Sequence, residues 1–442
     1  MSDLVQKDIL KQVNELFLQA EEEERKYNWK KEIEILREIE RISLDNKLKD
    51  IEGEVYLKLG EIYVADAEFE ESEENILNNI QLAISYFQKA QNVFKDLKKE
   101  EKVSASLGLI DYLEYLYRPL EGREEILLES AKSHFKKAKL INLENKNMKD
   151  SLKMAILENR VLNLFIGEKS IRIDEKIDFM NLFFEFEKIN NQIWEELEKG
   201  YEISEYFVWY FLESITEFII WSVSYLSIEN SVKIKYITDN INRIKKFIDT
   251  IENSSKIVNI FIAYLVSSLL NSILGAYIVD NQFEQKKYIK IAQKWIKKGE
   301  TLFPKFHINE ISVFFYFMRF TTAIFLMYLG YFARDFKHAL ENLDLMINSI
   351  HLHVPKITAA TIMIYAVNIF LIGALSRSTP DIQRIDFAKK SLELIELMTI
   401  KIPLVNNPNY KIYNLTKNFY LCTAHAILGD LIKDKGESSK HL

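Results

Sequence analysis

Residues 83–90 read AISYFQKA and residues 131–138 read AKSHFKKA. Ala83, Phe87 and Ala90 thus return as Ala131, Phe135 and Ala138, 48 positions on. Upstream, Leu59-Gly60 returns as Leu107-Gly108 at the same offset. Steps of four and three put small, large and small residues on one face of a helix. The small residues let two helices approach closely, and the large one fills the gap to a neighbour. Such a pattern, repeated at a fixed period, predicts stacked helical units.

Working outward, Ala292/Ile296/Gly299, Ala339/Leu343/Met346 and Ala388/Leu392/Ile395 repeat the pattern, and Pro304 follows the first of these. The starts at 83 and 131, 292 and 339, and 339 and 388 lie 48, 47 and 49 residues apart. Phe179/Phe183/Phe186 and Ile237/Ile241/Ile244 fill the long gap, and Glu32/Leu36/Ile39 precedes the first copy.

The stretch YLKLGEIY (56–63) resembles the first helix of a tetratricopeptide unit, with Tyr56 in the usual place of Trp, then Leu59-Gly60 and Tyr63. The Ala/Phe/Ala triads resemble that unit's second helix. The resemblance implies an all-α fold, an α-solenoid of about eight antiparallel helical hairpins in a right-handed superhelix. It also implies a non-enzymatic scaffold or adaptor that binds a protein or peptide on its concave face. Residues 1–200 and 201–442 read as two parts of one continuous solenoid, the second with strongly apolar inner helices. The period departs from the family's 34 residues. From Gly60 to Ala83, and from Gly108 to Ala131, there are 23 residues, about 11 more than the family spacing. The excess is assigned to ADAEFEESEEN (65–75) and RPLEGREE (118–125), as loops or ragged helix ends. The family's grip on a terminal carboxylate maps to Leu57, Glu61, Ala105 and Leu109, none of which supplies a cation.

Composition agrees with a helical chain. Among 442 residues there are 12 Gly and 6 Pro, too few for a turn-rich β or doubly wound fold. The single cysteine, Cys422, forms no intrachain disulfide, and the N-terminus lacks the apolar run of a signal peptide. Both favour a cytoplasmic protein. Residues 1–100 carry 24 acids and 15 Lys and Arg, and the chain as a whole is −7. No basic face for nucleic acid is visible.

A competing expectation is a membrane-embedded or membrane-docked protein. Residues 257–279 and 357–376 contain no charged side chain and are long enough to span a bilayer. Against it stand Asn259, Ser267, Ser268, Asn271 and Ser272 in the first segment, and Arg319 in the apolar run 313–333.

No phosphate loop, nucleophile elbow or zinc motif occurs, and no cofactor is expected. Cys422 and His425 have ligand-like spacing without a second pair, and His351 and His353 point apart on a helix. Glu213 and Glu217 lie one turn apart in the aromatic helix EYFVWYFLESITEFIIW (205–221). Pairing with Arg319 would satisfy them, and the three are candidate partner-binding residues. A helical enzyme or carrier with a hydrophobic-ligand pocket near 206–225 is the third reading. The acidic run Asp66, Glu68, Glu70, Glu71, Glu73 and Glu74 is the candidate contact for a basic partner.

Overall fold

The computed structural model describes residues 3–26, 28–68, 73–117, 125–170, 179–200, 203–224, 228–252, 256–277, 282–302, 356–375, 380–402 and 411–432. The repeat copy at 339–346, Arg319, Pro304, His351 and His353 lie outside them.

The described residues form fifteen α-helices. They are α1 (Asp3–Arg25), α2 (Trp29–Asp45), α3 (Lys49–Glu68), α4 (Glu73–Asp96) and α5 (Glu100–Tyr117). Next come α6 (Glu125–Glu144), α7 (Met148–Ser170), α8 (Phe179–Glu198), α9 (Glu205–Ser224) and α10 (Asn230–Ile251). Then follow α11 (Ile257–Tyr277), α12 (Gln282–Leu302), α13 (Lys356–Leu375), α14 (Asp381–Lys401) and α15 (Lys411–Leu431). Most contacts between helices join neighbours in the chain, as in α3 with α4, α5 with α6 and α11 with α12. Among the described residues the fold is all-α, with sequentially packed helix pairs.

Among the described residues, the motif copies occupy the even-numbered helices α2 to α14. Ala83, Phe87 and Ala90 on α4, and Ala131, Phe135 and Ala138 on α6, are fully buried. Their partners are the glycines of the preceding helix. A Cβ at Gly60 would stand 2.4 Å from Phe87, and one at Gly108 would stand 2.7 Å from Phe135. Phe94, two turns beyond Phe87, meets Gly53 in the same way, at 2.7 Å. Each phenylalanine ring therefore lies against bare backbone where a Cβ would clash, which is why glycine occupies those helical positions despite its entropic penalty.

Of the two segments assigned the extra length, the first falls largely in helices, and residues 118–124 of the second lie outside the described residues. α3 runs to Glu68 and α4 starts at Glu73, so most of segment 65–75 is helical. The helices of these two pairs are 18 to 24 residues long.

The pairs are joined by a repeated three-residue turn. Lys47, Lys98 and Lys146 have φ of 56°, 58° and 59°, in the left-handed region. After each lysine the next residue's N–H donates back five residues in the Schellman pattern: Leu48 to Ser43, Lys99 to Phe94, Asn147 to Asn142. The carbonyl of that same residue accepts the first bond of the following helix, from Glu52, Val103 and Ser151. Lysine suits the place electrostatically, because its charge meets the negative end of the helix it closes.

Two compact units divide the chain: Met1–Phe165 with Phe184–Ser214, and Ile166–Phe183 with the chain from Ile215 onward. In the second unit, α11 is packed by α12. Ser268 donates to the Ala292 carbonyl at 2.7 Å, and the rings of Tyr264 and Trp295 are 5.3 Å apart. Phe183, Phe218 and Tyr236 form an aromatic cluster with centroids 5.2–5.4 Å apart.

Candidate functional site

In the first unit, four odd-numbered helices, α3, α5, α7 and α9, touch through charged and aromatic side chains. α7 is the centre. Asp150, Lys153 and Arg160 step along it by three and seven residues, so they share a stripe. Asn147 starts the helix: its side chain accepts from the Asp150 N–H at 3.3 Å and donates to the Asp150 carboxylate at 2.9 Å. This reciprocal cap fixes the first residue of the stripe.

Asp150 bonds Lys102 of α5 at 2.9 Å, and Lys102 reaches Glu54 of α3 at 3.3 Å. Glu54, Lys102 and Asp150 are successive copies of one repeat position, 48 residues apart, with alternating sign. Burial disfavours the charge on Lys102, but Glu54 and Asp150 together outweigh it and hold its pKa above the ordinary lysine value. Asp150 is the converse case: burial would raise its pKa, and Lys102 brings it below the usual carboxylate range.

One turn on, Lys153 pairs with Glu61 of α3 and lies over the Phe207 ring of α9, 4.8 Å from its centroid. Further along, the buried Arg160 donates from Nε to the Tyr112 hydroxyl of α5, and from Nη1 to Glu213 of α9, each at 2.7 Å. Its guanidinium stacks on Tyr210, 4.1 Å from the ring centroid. Tyr112 and Arg160 are again 48 residues apart. Ser214 donates to the Asn159 side chain at 2.8 Å, and the Lys139–Glu158 pair ties α6 to α7.

A buried acid lies beside this row. Glu32 of α2 is 1% exposed, and its Oε2 has no hydrogen-bond partner. Burial first, then the charges of Glu24, Glu61 and Glu21, push its pKa up to about 9, against the opposing pull of Lys58. Glu32 is therefore a neutral acid at pH 7.

The sequence candidates divide as follows. Glu213 bonds Arg160, a residue that the sequence reading did not single out; Arg319 is outside the described residues. Glu217 is buried at 3% exposure. Asp66 accepts from Asn79 at 2.8 Å, and Glu74 is exposed. Glu68 ends α3 and Glu73 opens α4, while Glu70 and Glu71 lie outside the described residues. The aromatic residues of 206–211 pack on one another and on their neighbours: Tyr206 bonds Tyr210 through their hydroxyls, and Trp194 meets Phe211 edge-on at 4.9 Å. The signal that marks Lys102 is charge at one repeat position, visible only once the 48-residue offset is applied to polar residues as well as to core ones.

Among the described residues, no group of three His, Cys, Asp or Glu side chains could hold a metal ion. One helix there is long and apolar enough to cross a membrane: residues Ile257–Gly275 of α11, of which 94% is buried against protein. In comparison with known proteins, no family model and no curated protein matches this chain.

Proposed function

We propose that the chain is a non-catalytic binding protein of the helical-repeat type, similar in plan to tetratricopeptide solenoids. It receives a basic protein or peptide segment along the row of α3, α5, α7 and α9. The observation that carries this reading is the row itself. Glu54, Lys102 and Asp150 occupy one repeat position on three helices and are all part-exposed, with side-chain exposures of 37%, 16% and 27%. A stack that needed only stability would fill such positions with apolar groups, because a buried or half-buried ion pair is weak support for a fold. A polar row at repeat spacing instead offers a ligand regularly placed hydrogen-bonding groups, at helix-to-helix steps of roughly 8–10 Å. The partner's sign follows from the charge of residues 1–100, which is net −9. Attraction of that kind speeds encounter and weakens with salt.

Two observations bear on the other readings. The burial of α11 supports a core role for the most apolar helix. The mutual packing of the 206–211 aromatics supports a filled interior at that place.

The test is fluorescence anisotropy with labelled basic, acidic and neutral 15-residue peptides, at about 50 and about 300 mM salt. The basic set is expected to bind, to weaken at the higher salt, and to weaken severalfold against Glu54→Gln. Equal binding of the acidic set, or no binding by any peptide at about 1 mM, near the weak limit of useful affinity, would overturn the proposal.

A further inference from the structure

The last described helix, α15, has two unlike faces. Tyr413, Ala424 and Leu428 are fully buried against its neighbours α13 and α14. On the other side Leu415 and Phe419 are 64% and 65% exposed, and Cys422 and Ala426 are exposed with them. The steps of four, three and four place these four residues in one stripe on the helix. Lys411 and Asp430, both exposed, close the stripe at its two ends.

The stripe has an internal order. Reversed about a point between Tyr420 and Leu421, it maps onto itself with each residue facing its complement. Lys411 falls opposite Asp430, Leu415 opposite Ala426, Asn418 opposite Thr423, and Phe419 opposite Cys422. Cation thus meets anion, polar meets polar, and each large apolar group meets a small one. This is what ridge-and-groove packing of two helices requires. The parallel alternative would set Lys411 against Lys411, Asp430 against Asp430 and Phe419 against Phe419.

We propose that α15 is the contact surface for a second copy of this chain, the two helices lying antiparallel about a two-fold axis between Tyr420 and Leu421. A two-fold contact needs a self-complementary patch, which this stripe is. Its size sets the strength. A 21-residue helix is about 31 Å long. Its stripe covers on the order of 400 Å² per partner, half the standard interface, so the dimer is weak, with a Kd in the micromolar range.

The experiment is sedimentation velocity of the full chain from about 1 to about 300 µM, a span that brackets micromolar affinity. The native chain is expected to shift from monomer to dimer with concentration, and Phe419→Asp to remain monomeric. Two charge exchanges then test the geometry. Lys411→Glu alone and Asp430→Lys alone each place two like-charge pairs in the dimer and should weaken it about tenfold. An equimolar mixture of those two variants restores opposite charges at both ends, and should dimerise as the native chain does. All these residues are exposed, and a helical circular dichroism spectrum checks folding. A native chain that stays monomeric to 300 µM overturns the proposal. So does a dimer that Phe419→Asp leaves intact, or a variant mixture no stronger than its components.

Discussion

Gly60→Ala sets two known effects against each other. In a helix interior, Ala is favoured over Gly by about 0.8–1 kcal/mol. At Gly60 the new methyl would stand 2.4 Å from Cε1 of Phe87, where ordinary contact begins at 3.4 Å, so ring or helix must yield by about 1 Å. Phe87 is fully buried, in an interior packed closely enough that such a shift displaces neighbours. Overpacking of this kind costs roughly 1–3 kcal/mol, so clash outweighs propensity and the variant should lose about 1 kcal/mol net. Gly108→Ala, with its methyl 2.7 Å from Phe135, should lose a similar amount. Gly299 is the control: a methyl there meets Leu265 at 3.4 Å, so Gly299→Ala should be neutral or stabilising by up to about 1 kcal/mol. In a Phe87→Leu background the clash at residue 60 is relieved, and the Gly60→Ala change should become favourable. The coupling between the two sites is then about 2 kcal/mol. Urea unfolding of the full chain by circular dichroism reads these changes, and peptide-resolved hydrogen exchange over α3 and α4 locates them. A stabilised Gly60→Ala, or additive effects with Phe87→Leu, would refute the close approach of α3 and α4.

Replacing Lys98 or Lys146 by Gly should stabilise the chain by about 0.5–1 kcal/mol each, because the left-handed backbone there is strained for any residue with a Cβ; thermal melts measure this. Arg160→Met should cost about 3–5 kcal/mol by leaving Glu213 without its cation, and Arg160→Met/Glu213→Gln should recover part of the loss in the same urea assay. Glu32 has a folded-state pKa raised from 4.5 to about 9. The folded chain therefore holds a proton that the unfolded chain releases above about pH 4.5, and this group's contribution to stability falls as pH rises from 4.5 towards 9. Glu32→Gln should remove that slope and raise stability at pH 7 by up to about 3 kcal/mol, read as urea midpoints between pH 5 and 8.

The core of the repeat was legible because its residues are conserved in kind within the chain. Ala83, Phe87 and Ala90 recur as the same three residues, and backbone contact with Gly60 and Gly108 tolerates nothing larger. The polar row was not legible in the same way. Glu54, Lys102 and Asp150 recur in position but change sign, so a search for similar residues passes over them. Arg160 was hidden for a related reason: its repeat mate is Tyr112, a hydrogen-bonding acceptor that shares no chemistry with it beyond the bond itself. The acidic stretch 65–75 was read from its composition as a loop or a ragged helix end, and most of it belongs to the ends of α3 and α4. Polar residues say only that a surface is wet, and an exposed helix end is as wet as a loop; acids such as Glu73 and Glu74 also suit the start of α4 electrostatically.

The lysine turns and the alternating charges pull in opposite directions when the chain changes length. Because Lys98 and Lys146 close their helices with the same backbone shape, excision of residues 99–146 would splice Lys98 to Asn147 and leave a sound turn. The backbone thus tolerates loss of a single hairpin. The side chains do not, since the splice would set Glu54 of α3 directly beside Asp150 of α7, acid against acid, with Lys102 gone. Sign alternation gives this part of the array a parity: its neutral steps in length are two hairpins, although its turns would permit one.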